Sequence, residues 1–352
     1  MDDKKIPILY IAGYDRSGST VLDQILGQIP GWFTVGELAD FWGWGPQQLC
    51  GCGRVVKDCD FWRQVFIEAF QTTPDRFDFA AASALKNRCA RSRHLFFLTN
   101  SLMRGFVKPA LDAYVDLTRK LYQAVNAVAG AKVVVDSSKR PSHAYLLELT
   151  GAVDLFVVHL VRDPRGCAYS WLKSKRHPNS AIGELPNLNP AVTSLDWLYT
   201  NSAIRKLWGS SEGRYLVLRY EDFIARPEDS VRRIIQFVGQ PATRLPFLSH
   251  HTVSLAPTHG VSGNPVRFDT GPVHLTLDDK WRTAMRPMHK LLVTTLTGVT
   301  LPTFGYSVKP SRGPTVTPKP NLAEAPLAGY DTPAISIESR SDTKNVFGKE
   351  IA

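Results

Sequence analysis

The stretch Ile8-Leu9-Tyr10-Ile11-Ala12-Gly13-Tyr14-Asp15-Arg16-Ser17-Gly18-Ser19-Thr20-Val21-Leu22 decides how the rest of the chain is read. It opens on an apolar run short enough for a buried parallel strand. Two glycines then bound a polar loop, and Val21-Leu22-Asp23-Gln24-Ile25-Leu26 carries apolar residues at helical spacing. Strand, tight loop and helix N-terminus in succession make an anion site. The first backbone N–H groups of the helix lack partners, and the peptide dipoles add partial positive charge.

From Gly13 to Thr20 the spacing is G-x-x-x-x-G-S-T, that of a Walker A loop with Ser19 where the lysine belongs. Nucleoside triphosphate chemistry needs that ammonium on the β- and γ-phosphates, and the cation of this loop is Arg16. The loop is shaped for a phosphate-like group and lacks the equipment of an ordinary ATPase.

Working outward, Pro30 to Leu38 reads as a turn and a short extended piece ending at Glu37. Lys132-Val133-Val134-Val135-Asp136 is a second strand, running into Ser137-Ser138-Lys139-Arg140-Pro141. Asp154 to Val161 is a third, ending at Arg162-Asp163-Pro164, and Tyr215 to Arg219 a fourth, followed by Tyr220-Glu221-Asp222. Pro164 suits the first turn of a helix, where its missing N–H costs nothing; that helix is expected to run to about Ser174. Further helices are expected near Glu228–Val238 and Trp281–Leu296, and a loop over His250–Asp279. Apolar strands separated by helices predict an α/β, P-loop-like, three-layer fold: a central parallel sheet flanked by helices. Ligands of such sheets sit at the carboxyl ends of the strands. Arg16, Lys139, Arg162 and Tyr220 all fall there, which argues for one shared site.

Between Phe61 and about Ala129 the period is helical, with Arg88, Arg91, Arg93 and His94 as a basic shoulder. Residues 61–130 are read as a helical insertion on the acceptor side of a domain spanning 1–306. Residues 307–352, rich in Pro, Ser and Thr, are read as a disordered tail. The tail carries six basic and five acidic residues, so the net charge of +10 belongs almost wholly to the domain. That balance favours anionic ligands. No lysine/arginine run supports a nucleic-acid module, and no stretch reaches transmembrane length or resembles a signal peptide. The expectation is a soluble cytoplasmic protein. Five cysteines are too few and too uneven for a disulfide scaffold. Cys50, Cys52 and Cys59 lack C-x-x-C spacing and have no histidine near them in sequence, which points away from zinc and toward a local disulfide or plain packing.

With these pieces placed, the chain resembles sulfotransferases that use 3′-phosphoadenosine-5′-phosphosulfate (PAPS). Tyr14 to Thr20 is similar to the family's 5′-phosphosulfate loop. Leu160 to Ser170 is similar to its 3′-phosphate motif, in which an arginine precedes a serine by eight positions, here Arg162 and Ser170. Tyr220-Glu221-Asp222-Phe223 matches the stretch whose tyrosine lies near the adenine, and the Cys-Gly-Cys-Gly segment is similar to one in many bacterial members. The similarity extends over most of residues 6–306.

The resemblance implies the following roles. Ser17, Gly18, Ser19 and Thr20 donate to the 5′-phosphate, and Arg16 steadies the bridging oxygen to the leaving sulfuryl group, as arginine does in the tyrosylprotein and carbohydrate branches. Lys139 takes the transition-state role of a tyrosylprotein-branch lysine, Glu37 that of the base, and Arg267 closes a loop over the nucleotide, although the family's usual Arg-Lys-Gly triplet is absent. The reaction expected is in-line sulfuryl transfer to a hydroxyl or amine, governed by positioning and electrostatics. Sulfuryl carries less charge than phosphoryl, so no metal is required in principle and none is expected. The acceptor class is a small molecule, lipid or glycan. Several alternatives stay open. Glu37 competes as base with His143, His159 and His250, or caps the following helix. Arg162 pairs either with an anion or with Asp163, and the helix dipole favours the anion. A P-loop kinase or NTPase, with Asp136 as magnesium ligand, and a non-catalytic nucleotide-binding relative are the rival classes.

Overall fold

The computed structural model describes residues 5–173, 187–241 and 244–308, with the backbone alone at 175–176 and 184–185. The tail expectation for 307–352 therefore falls, beyond residue 308, outside the described residues. Five parallel strands, β1 (Ile6–Ala12), β2 (Trp32–Gly36), β3 (Val133–Lys139), β4 (Val153–Val161) and β5 (Tyr215–Arg219), form a sheet in the order β2-β3-β1-β4-β5. The opening apolar run is thus the central strand. Its Ile8 aligns with Val134 on one side and Leu155 on the other.

Helices cover both faces: α1 (Ser19–Leu26), α2 (Asp60–Phe70), α3 (Phe79–Cys89), α4 (Lys108–Ala129), α5 (Pro141–Leu149), α6 (Pro164–Trp171), α7 (Pro190–Trp208), α8 (Pro227–Val238) and α9 (Pro287–Thr297). Although β1 is apolar throughout, its period of two sorts it between two cores. Ile8, Tyr10 and Ala12 pack with Trp62, Phe66, Tyr122 and Leu146 of α2, α4 and α5. Leu9 and Ile11 pack with Leu22, Ile25, Val231 and Ile234 of α1 and α8.

Local chemistry sets the helix ends. Asp163 accepts from Arg165 N–H at 2.9 Å ahead of Pro164, and Asn189 accepts from Ala191 N–H at 2.8 Å ahead of Pro190. The helix expected near Trp281–Leu296 is two pieces, Trp281–Ala284 and α9, because Pro287 cannot continue a helix but can begin one. The stretch His250–Asp279, expected as loop, contains most of a small antiparallel sheet: β6 (Phe247–Ser249), β7 (Thr252–Leu255) and β8 (Gly271–His274). Strands of three or four residues leave too little alternation to read. Among the described residues, no helix is long and apolar enough to cross a membrane.

Candidate active site at the carboxyl edge of the sheet

Each of the five parallel strands delivers a residue to one cavity. β1 leads into the Gly13–Gly18 loop with Arg16, and β2 ends beside Glu37. β3 ends on Lys139, β4 is followed by Arg162, and β5 by Tyr220. All of these line a cavity of about 520 Å³, together with Gly18, Ser19, Thr20, Ser170 and Arg267, a size suited to a nucleotide-like ligand. Ser17 is the exception: its hydroxyl is buried, is not on the cavity wall and has no hydrogen-bond partner among the described residues.

Left-handed backbone at Arg16 and Gly18 shapes the loop. Gly18, the residue before α1, has φ +88°, and a Cβ there would stand 2.7 Å from the Tyr220 ring. Only glycine lets the tyrosine lie against the loop. Arg16 and Lys139 are non-glycine residues with φ of +67° and +68°. Such conformations cost about 1–3 kcal/mol each and collect at functional sites. The Arg16 guanidinium lies 4.4 Å over Trp171, and its buried Nε has no hydrogen-bond partner among the described residues. A buried donor without an acceptor on a cavity wall fits an anionic ligand.

Lys139 and Glu37 form the centre of the site. Lys139 Nζ touches Glu37 Oε1 and lies 3.3 Å from Asp15 Oδ1; the two paired side chains are only 10% and 13% exposed. Burial pushes the Glu37 carboxyl upward by more than Lys139 pulls it down, so it stays above the ordinary carboxylate value. Burial pulls the Lys139 ammonium down, but Glu37 and Asp15 together outweigh it and hold the lysine charged. The Glu37 N–H donates to Val261 O at 2.8 Å. Gly263 approaches so closely that a Cβ there would stand 3.1 Å from Glu37 Oε1. Glu37 thus stands at the N-cap position of the short turn Leu38–Asp40 without a side-chain cap bond; its backbone is pinned to Val261, and its carboxylate lies against Lys139 and Gly263.

Arg162 does not pair with Asp163; Arg165 takes that carboxylate at 2.7 Å. Instead the Arg162 guanidinium lies 4.5 Å over the Tyr220 ring and donates to Arg16 O at 2.9 Å. It also meets Asp278, whose Oδ2 is 3.2 Å away. Arg267 is buried and donates to the carbonyls of Ser262 and, at 2.9 Å, Leu49. Burial lowers its pKa to about 10.

The rival bases sort by position. His159 is buried in the sheet between Tyr215 Oη at 2.7 Å and Asn201 Oδ1 at 2.8 Å, and burial pushes it down to about 4. His250 is exposed and lies on the wall of neither the large cavity nor the one that His143 faces. His143 is buried 3.0 Å from Tyr122 Oη and faces a second cavity of about 370 Å³. Asp136, the magnesium ligand of the kinase alternative, is fully buried, accepts from Tyr122 Oη and Ser138 N–H, and is absent from the large cavity's wall. Sequence reading missed Asp278, Trp171 and Asp40. Asp278 and Trp171 meet their arginines only through tertiary contact. Asp40 sits between Lys86 and Arg140, each at 2.9 Å, on the wall shared by the two cavities.

The site is a cavity of about 520 Å³ at the carboxyl edge of a P-loop-like parallel sheet, with Arg16, Arg140, Arg162 and Arg267 on its wall. The chain belongs to the Sulfotransferase family, whose model matches residues 7–244. Carbohydrate sulfotransferase 2 of Mus musculus and that of Homo sapiens are each 28% identical to it over 170 residues, 38% of this chain; the match spans 31% of those relatives' length. Among solved structures, the chain is similar to the sulfotransferase domain from the curacin biosynthetic pathway (18% identity, TM-score 0.46, covering 86% of this chain and 98% of that one). It is also similar to the sulfotransferase domain from the Synechococcus PCC 7002 olefin synthase (21% identity, TM-score 0.44, covering 87% and 97%).

Proposed function

We propose that the protein transfers a sulfuryl group from PAPS to a hydroxyl or amine of an acceptor by in-line displacement. The observation that carries this reading is the convergence of Arg16, Glu37, Lys139, Arg162 and Tyr220, one from each strand end, on a single cavity. In this reading Ser19, Thr20 and the N-terminus of α1 hold the 5′-phosphate. Arg162 and Ser170 hold the 3′-phosphate, and the Tyr220 ring lies beside the adenine. Arg267 braces the loop that closes the cavity. Glu37 takes the acceptor's proton as the new S–O bond forms, and Arg16 and Lys139 bear the charge that collects on the departing phosphate oxygen. The acceptor enters from the side of residues 61–130 through the second cavity, which shares Asp40 and Arg140 with the first and carries Lys86, Arg91 and Arg93. That lining suits a small molecule or glycan bearing acidic groups better than a neutral lipid.

The test is thermal shift. Adenosine 3′,5′-bisphosphate at about a hundred times its Kd is expected to stabilise the fold by about 2.7 kcal/mol, and ATP with magnesium to leave the melting temperature nearly unchanged. The reverse ranking would transfer the chain to the kinase alternative.

Asp278 supplies a finer expectation. Its carboxylate occupies the Arg162 guanidinium that the 3′-phosphate needs. Asp278→Asn removes a competing anion worth about 1 kcal/mol, so bisphosphate affinity is expected to rise about fivefold by calorimetry. Weaker binding would mean that Asp278 belongs to the nucleotide site itself.

A further inference from the structure

Cys50, Cys52 and Cys59 lie in the segment between β2 and α2, and His259 follows β7, two hundred residues later. The fold brings the four together. Cys59 Sγ is 3.7 Å from Cys50 Sγ and 3.7 Å from Cys52 Sγ. His259 Nδ1 is 3.3 Å from Cys59 Sγ and 3.6 Å from Cys50 Sγ, and all four atoms lie within 4.8 Å of one another. Zinc bonds of about 2.3 Å to sulfur and 2.0–2.1 Å to nitrogen, arranged tetrahedrally, separate sulfurs by about 3.8 Å and sulfur from nitrogen by about 3.5 Å. The four spacings given above lie within about 0.2 Å of that figure, and the two remaining pairs lie within 4.8 Å. The cysteines are free, and their sulfurs stand far outside a disulfide bond of about 2.05 Å.

Three thiols gathered around one imidazole nitrogen also fail as ordinary packing. Cys50 and Cys59 are buried, and Nδ1 faces sulfur, a poor hydrogen-bond partner. The ring itself is fixed: it stacks on Phe61 at 5.0 Å, and the His259 carbonyl accepts from Trp62 Nε1 at 3.0 Å. A ligating histidine needs such outside support to hold its orientation.

We propose that Cys50, Cys52, Cys59 and His259 form a closed Cys₃His site for one structural zinc ion. The site ties two distant segments to the end of β2. Gly51 N–H donates to Gly260 O at 2.8 Å, and Val261 bridges to both Cys50 and Gly36. Val261 N–H then donates to Val35 O, and Val261 O accepts from Glu37 N–H. The metal thereby anchors the strand end that carries Glu37 and the loop that carries Arg267. The four ligands fill a tetrahedral shell and leave no position for substrate, as in structural rather than catalytic zinc sites. The ligand set stands independently of the sulfotransfer reading.

The experiment is elemental analysis of the whole chain, expressed with zinc in the medium and purified without chelator. One zinc per chain is expected. Replacement by cobalt is expected to give thiolate-to-cobalt charge-transfer absorption and the intense visible bands of a tetrahedral ion. Cys52→Ser, at the half-buried ligand, is expected to lose most of the zinc and to lower the melting temperature. Cys89→Ser, at a buried thiol outside the cluster, is expected to keep it. If the variant proves insoluble, the wild-type stoichiometry and the cobalt spectrum still decide. Folded, fully reduced protein that holds far less than one zinc and melts at the same temperature with and without added zinc would overturn the assignment. So would a disulfide among the three cysteines, one equivalent of a different metal, or undiminished zinc in Cys52→Ser.

Discussion

Glu37→Gln is expected to lower kcat by about 10²–10⁴-fold, the usual contribution of a positioned general base, while bisphosphate affinity measured by calorimetry stays within about threefold of wild type. The amide keeps the size and the backbone anchor to Val261 and removes the proton acceptor. The wild-type pH profile carries a matching signature. A base works only when deprotonated, so turnover falls as pH drops through the Glu37 pKa. Burial holds that pKa above the ordinary carboxylate range, so the acid limb is expected above pH 4.3 or so, the ordinary glutamate value. Unchanged turnover in the variant would remove Glu37 from the chemistry. The next residue to change would then be His143, on the wall of the adjoining cavity.

How much of this was legible in the sequence depends on how local each signal is. Four strands and the short extended piece ending at Glu37 are legible because apolar runs alternate with helical periods, and parallel topology sends all such ends to one edge. The strand order is not legible in the sequence, and that β1 takes the centre of the sheet emerges only from the structure. The family resemblance, too, rested on these local motifs. What stayed hidden was non-local. The choice of partner for Arg162 turns on Asp278, more than a hundred residues away. The antiparallel sheet pairs Gly271 with Leu255 through strands too short to show a period. The cysteine segment holds no histidine of its own, which is why its sequence points away from zinc. The ligand comes from His259, carried in by the same Val261 strand pairing that fixes Glu37.

Lys139→Ala is expected to cost about 10²–10³ in kcat, the scale of removing one charge-stabilising donor from a transition state, with little change in bisphosphate affinity. In the proposed mechanism the lysine meets the departing oxygen of the 5′-phosphate, whose charge grows in the transition state, while Ser19, Thr20 and the N-terminus of α1 carry most of the grip on that phosphate in the product. Its removal also acts on its neighbour. Lys139 is the main influence drawing the Glu37 carboxyl down against burial, so without it Glu37 binds its proton more tightly and the acid limb of the residual activity moves to higher pH. A lysine that served only to hold the loop would lower stability and shift affinity without that displacement of the limb. Lys139→Arg is not expected to restore the rate. A guanidinium is broader than an ammonium, and the pocket that closes on Lys139 Nζ leaves the side chain only a tenth exposed between Glu37 and Asp15. In the double variant Glu37→Gln/Lys139→Ala the two losses are expected to add to less than their sum, because each residue sets the protonation of the other. Full additivity would mean that the lysine and the glutamate act in separate steps.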